Sequence, residues 1–130
     1  MKWFLVCFKK YTTFAGRAQR MEYWMFMLIC ALVTMAAFVL MSTVGFLMNG
    51  SRAVGYIAMV VYSLLITFSL VAILPTLAVS VRRLHDTGRS GWWWFINFIP
   101  IVGPLVFLVF MLQDSEADEN AYGPNPRQQT

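Results

Sequence analysis

The sequence predicts an all-α fold: a polytopic helical membrane protein with three transmembrane segments, the third broken by prolines. Three observations carry this. Of 130 residues, 59% are hydrophobic and 12% charged, about half the charged share of an ordinary soluble protein. Residues 23–51, 53–81 and 90–113 contain no Asp, Glu, Lys, Arg or His. A helix needs about 20 apolar residues to cross a hydrocarbon layer of roughly 30 Å, and segments 23–48, 53–81 and 92–112 supply them. A water-soluble fold of this size has no interior large enough to hide three such stretches. The expected organisation is a cytoplasmic interfacial segment (1–22), a membrane domain (23–112) and a polar acidic tail (113–130).

The N-terminal apolar run Trp3–Phe8 is closed by Lys9 and Lys10 and is followed by no small-residue cleavage site, so it reads as a retained interfacial segment rather than a signal peptide. Residues 1–22 hold Lys2, Lys9, Lys10, Arg17 and Arg20 against Glu22. The connection after the first span holds only Arg52. The connection after the second holds Arg82, Arg83 and Arg89 against Asp86. Lys and Arg accumulate on the cytoplasmic side of a membrane, so the N-terminus and the 82–91 loop are expected there. Trp24, Trp92, Trp93 and Trp94 lie near these basic clusters and are expected as interfacial anchors at the headgroup level.

The second span is longer than a crossing requires, which leaves room for tilt or for helix beyond the bilayer. Within it Ala72, Thr76 and Ser80 recur every four residues, a spacing that lets helices approach closely, and Pro75 interrupts that face. The third segment is interrupted by Pro100 and by Gly103-Pro104. A single kinked crossing is expected, with the tail on the far side, because an irregular turn in hydrocarbon is costly unless protein covers it. The alternative is a re-entrant hairpin that dips in over Trp92–Ile99, turns at Pro100–Pro104 and returns over Leu105–Leu112, leaving the tail beside the N-terminus.

Three polar islands remain: Gly16-Arg17-Ala18-Gln19-Arg20-Met21-Glu22-Tyr23-Trp24, Arg82-Arg83-Leu84-His85-Asp86-Thr87-Gly88-Arg89-Ser90-Gly91-Trp92-Trp93, and Asn120-Ala121-Tyr122-Gly123-Pro124-Asn125-Pro126. If the second span continues as helix, Asp86 is placed to pair with Arg82 or Arg83. Gly88 suits a turn and Ser90 the N-cap of the next helix. Glu22 is the expected acidic partner for Arg82, Arg83 or Arg89. Arg17, Arg20, Arg82, Arg83, His85, Asp86 and Arg89 together form a possible contact face for an anionic headgroup or a partner. The plainer reading is that the arginines only anchor topology, in which case Lys replaces them with little loss. The sharper reading is that guanidinium forks grip a phosphate.

No catalytic or metal-binding residues are expected. His85, Asp86 and Ser90 are near neighbours on one loop and are not placed to form a triad. Cys7 and Cys30 stand far apart beside a single His. No cofactor motif is present, and the basic residues flank spans rather than form a nucleic-acid patch.

The islands, together with Ile99-Pro100-Ile101-Val102-Gly103, resemble in order and content the YhaH/YhaI-type family of bacterial inner-membrane proteins, domain of unknown function 805. The likeness runs from about Tyr11 to Pro126. It implies a multi-pass inner-membrane protein and no reaction. The expected role is that of a non-enzymatic component that binds lipid or protein, or assembles with them, through its cytoplasmic Arg/Trp face. Its expected partners are membrane lipids, with a second copy or another membrane protein as candidates, and no nucleic acid. The alternative is an oligomeric transporter or channel subunit. Three spans give few walls for a pore, and the spans carry no carboxylate to move protons.

Overall fold

The computed structural model describes residues 11–47 and 51–126. The expected interfacial run Trp3–Phe8 and Arg127 lie outside the described residues. The fold is all-helical, as the composition predicts. Helix α1 spans Arg20–Leu47 and helix α2 spans Arg52–Asp86. At 1.5 Å per residue they are about 42 and 52 Å long, and both are apolar enough to cross a membrane. Pro75 sits inside α2 without ending it. The hydroxyls of Thr34, Ser42, Thr43, Ser63 and Thr67 donate to carbonyls three or four residues earlier, so they need no water in hydrocarbon.

The two ends of this helix pair differ. Buried residues of α1 are Glu22, Tyr23 and Phe26, all within its first turns, and those of α2 begin at Ala72. Elsewhere the helices meet along a narrow seam. Val54, Ala58, Val61, Leu65 and Phe68 of α2, and Ala37, Met41 and Val44 of α1, are half-buried, while Phe38 and Tyr56 are open. The spacing of three and four is that of two helices touching along one stripe. A core of Ala18, Tyr23, Phe26, Val79, Leu84 and Met111 fills the polar end.

The third apolar stretch is broken at its prolines, as expected, but it does not continue as one kinked rod. Gly91–Phe98 forms a 3-10 helix, and helix α3 spans Val102–Leu112. The 3-10 helix runs antiparallel to α2: Gly91 faces Val81 and His85, whereas Trp94 lines a cavity with Ser69, Ala72, Ile73, Thr76 and Leu77. The stretch then turns at Ile99–Ile101 and comes back. Eight residues at 2.0 Å and eleven at 1.5 Å give two arms of about 16 Å each. The extended rise of the 3-10 helix lets a short arm match a longer one. The polar tail after α3 thus returns to the end of the molecule that carries Arg17 and Asp86. This corrects the expected single crossing with the tail on the far side.

The cost that argued against a hairpin is met locally. The amide of Ile99 donates to Ile96, that of Val102 to Pro100 and that of Gly103 to Ile99. Pro100 and Pro104 have no amide hydrogen to satisfy. Ile101 takes a left-handed φ of 67° at the tip, an unfavourable conformation for a β-branched residue. Gly103 makes the arms' contact possible, since a Cβ there would lie 1.9 Å from the Ile96 carbonyl oxygen.

Candidate functional site

The three polar islands converge into one cap over the core. The first docks through its backbone, the Ala18 amide donating to the Arg82 carbonyl at 3.0 Å. Gly16, at a φ of 87°, turns the chain into this position. Arg17 then reaches into the cap. Its Nε donates to Asp86 Oδ1 at 3.0 Å, its Nη2 to the Glu116 carbonyl at 2.6 Å and its Nη1 to the Asp118 carbonyl at 2.8 Å and the Gly123 carbonyl at 3.2 Å. One planar fork thereby ties the start of the chain to the end of α2 and to the tail.

Arg83 makes the second tie. It donates through Nη1 to Asp86 Oδ2 and through Nη2 to the Gln113 carbonyl. Ser115 Oγ also donates to Asp86 Oδ2. Arg20 Nε donates to the same Gln113 carbonyl at 2.6 Å, and its Nη2 pairs with Asp114 at 3.1 Å. Arg89 donates to Gln113 Oε1 at 2.6 Å and stacks 4.1 Å above the Phe110 ring. The last carbonyls of a helix lack intrahelical donors and carry its negative dipole end. Here guanidinium groups from the other two islands gather at the end of α3, which gives the hairpin a physical reason to return.

Arg82 faces Glu22, with Nη1 2.7 Å from Oε1 and both side chains buried. This is one of the pairings the sequence suggests for Glu22. Arg82 Nη2 has no hydrogen-bond partner among the described residues. Among the described residues, three buried guanidiniums, Arg17, Arg82 and Arg83, stand against two buried carboxylates, Glu22 and Asp86. Carbonyls of α3 and the tail supply much of the remaining acceptance.

His85 is held differently. Its ring stacks on Tyr122 at 3.8 Å and 3°, its Nδ1 lies 3.3 Å from the Gly16 carbonyl, and its own carbonyl accepts from Asn120 at 2.9 Å. Desolvation lowers the His85 pKa, partly offset by the Gly16 carbonyl. Beside it opens a cavity of about 510 Å³ lined by Phe14, His85, Ser90, Gly91, Trp92, Phe95 and Tyr122.

All seven candidate contact residues therefore reach the cap, but the buried arginines point inward. The guanidinium shape matters to Arg17 and Arg83 because each spans several internal acceptors, so charge anchoring alone does not account for them. Trp92 is widely exposed, and Trp93 meets Phe110 edge-on. Trp94 packs against the buried core and lines a cavity with Ser69, Ala72, Ile73, Thr76 and Leu77, about 14–26 Å along α2 from Asp86. The tail residues Ser115, Asn120, Tyr122 and Asn125 are cap members that sequence reasoning did not single out as site residues. The available signal was the polar composition of the third island itself. Among the described residues, no three His, Cys, Asp or Glu side chains converge as a metal site would require.

A helical membrane protein with a hairpin latched under a polar cap is the class that this architecture defines. The chain matches the family described as protein of unknown function (DUF805) over residues 11–124, and it belongs to that family. It is 42% identical to the inner membrane protein YhaI of Escherichia coli K12 over 127 residues, 98% of this chain and 97% of YhaI. It is 39% identical to the inner membrane protein YhaH of the same strain over 127 residues, 98% of each chain. No solved structure matches the chain significantly. With these relatives and its apolar helices, the chain is a multi-pass inner-membrane protein.

Proposed function

We propose that the chain is a non-enzymatic binding or assembly component of the inner membrane, acting through its cap, with the cap and both described ends of the chain on the cytoplasmic side. The Lys/Arg bias of residues 1–22 and 82–91 supports the orientation. The observation that carries the role is the cavity beside His85. The buried arginines are engaged within the protein, whereas Trp92, Phe95 and Phe14 offer exposed aromatic surface around the polar groups of His85, Ser90 and Tyr122. Aromatic rings with polar tips suit the headgroup layer, where one side of a ligand is apolar and the other wet. The working contact is thus an aromatic cleft for a lipid headgroup, rather than an arginine fork for a phosphate.

Mild detergent extraction tests this. The intact protein is expected to retain lipid that Trp92→Ala loses, with the helical content of both unchanged. Equal lipid on both proteins overturns the cleft as the binding site. A co-purifying protein lost with Trp92 would instead assign the cleft to a protein partner.

A further inference from the structure

The fold has a different cross-section in each half of the membrane. On the cap side lie α1, α2, the 3-10 helix and α3. Beyond the tip at Ile99–Ile101, only α1 and α2 continue among the described residues. The arms of about 16 Å reach roughly the middle of a 30 Å hydrocarbon layer. The tip is apolar and open, with Phe98 72% and Ile101 80% exposed, so it is suited to end among acyl chains. The burial pattern agrees: α1 is buried only before Met27 and α2 only from Ala72 onward. Taking each segment as a cylinder about 10 Å across, the described helices occupy about twice as much area in the cap-side half as in the other.

We infer that this chain is a wedge that favours, and at sufficient density promotes, bilayer curvature convex on its cap side. The leaflet containing the hairpin must accommodate an additional pair of segments, and an expanded leaflet relaxes by becoming the outer face of a bend. Contacts at both ends of the hairpin stiffen the wedge. Gly103 locks the arms together against Ile96, Trp94 packs the descending arm against the buried core, and Arg83 and Arg20 fix the end of the returning arm to the cap. A loosely attached hairpin could splay and relieve the asymmetry; this one is held at its top and along its length. The inference does not depend on a ligand in the aromatic cleft or on which compartment the cap faces in the cell.

Reconstitution of the full chain into sonicated (small) and extruded (large) vesicles of one phosphatidylcholine–phosphatidylglycerol mixture tests it. Protease added outside reports the fraction of molecules with the cap and tail outward. Charge effects on insertion act in both vesicle sizes, whereas the wedge acts with curvature. The outward-to-inward ratio is expected to be at least about twofold higher in the small vesicles, equivalent to about 0.4 kcal/mol. A ratio independent of vesicle size overturns the inference. The double variant Phe98→Ala, Ile99→Ala narrows the tip and is expected to reduce the size dependence; an undiminished dependence would remove the hairpin as its cause. Lipids brominated deep in the acyl chain are expected to quench Trp94 in a variant retaining only that tryptophan. Absence of quenching would show that the hairpin stays outside the leaflet and would likewise overturn the wedge.

Discussion

Arg17 and Asp86, 69 positions apart, meet as an ion pair at 3.0 Å with both side chains enclosed by protein. Asp86 also accepts from Arg83 and Ser115. It is therefore an acceptor shared by the segment before α1, the end of α2 and the tail. Removing one partner of such a buried pair leaves an uncompensated charge, at a cost of about 3–5 kcal/mol. Asp86→Asn is expected to destabilise the protein by that order and to free the tail. Thermal unfolding in detergent and protease sensitivity of residues 113–126 measure the two effects. A variant as stable as the parent would contradict the shared-acceptor role.

Arg83→Lys keeps the charge but loses the fork. One ammonium cannot reproduce the contacts that join Asp86 to the end of α3. A loss of about 1–3 kcal/mol is expected from the charge-assisted hydrogen bond that the ammonium cannot make, with the tail cleaved faster at unchanged membrane insertion. Tail cleavage at the parent rate would return Arg83 to a purely topological role.

Gly103→Ala is expected to lower stability by about 1–3 kcal/mol, the cost of overpacking, because the new methyl meets the Ile96 carbonyl. Gly45 is the matched control. It lies in α1 with nothing within 4 Å of a Cβ, so Gly45→Ala is expected to be neutral or stabilising by up to about 1 kcal/mol. Similar melting curves for both alanine variants would contradict the close approach.

Terminal reporters are expected to agree. The tail bonds to Arg17 and Gln19, so reporters fused at either end of the chain should fall in one compartment, and under the proposed orientation that compartment is the cytoplasm. Opposite readings would contradict the returning hairpin.

The cap should weaken in acid. Desolvation holds the folded His85 pKa below its ordinary value of 6.5, so the unfolded chain binds the proton more readily. The stabilisation is complete above 6.5 and is lost as the pH falls through that value toward the lower folded pKa. His85→Gln should remove this component of the pH dependence of tail protection. The difference between the curves of the two proteins is the quantity to compare.

Much of the fold was legible in sequence. The uncharged runs mark α1 and α2, and Glu22 faces Arg82 because each ends the apolar stretch of its own helix. Ser90 was readable as a cap, and its side chain accepts from the Trp92 amide. The return of the third stretch was not legible. Proline and glycine mark where a helix breaks, but which way the chain then runs depends on the partners waiting for α3's terminal carbonyls. Those partners are Arg20 and Arg83, remote in sequence, and nothing local to Gln113 reveals them. The role of Asn120 and Tyr122 was hidden for the same reason: their partner is His85, and the pairing exists only once the hairpin has turned. A tryptophan triplet beside a basic loop reads as a belt, while the 3-10 geometry turns its third member toward the core.

The latch also has an order of assembly. Synthesis delivers Arg17 first, then both long helices with Arg82, Arg83 and Asp86, and residues 113–125 only after the hairpin. Until that last stretch has emerged from the ribosome, charges destined for enclosure stand in water at the membrane surface, where they are cheaply hydrated. Insertion of α1 and α2 can therefore precede closure, leaving the cap to complete after insertion as an expected order of events. A chain interrupted after Leu112 would place its long helices in the bilayer yet lack the acceptors that complete Arg17, so a quality-control protease could distinguish finished from unfinished molecules at this one surface.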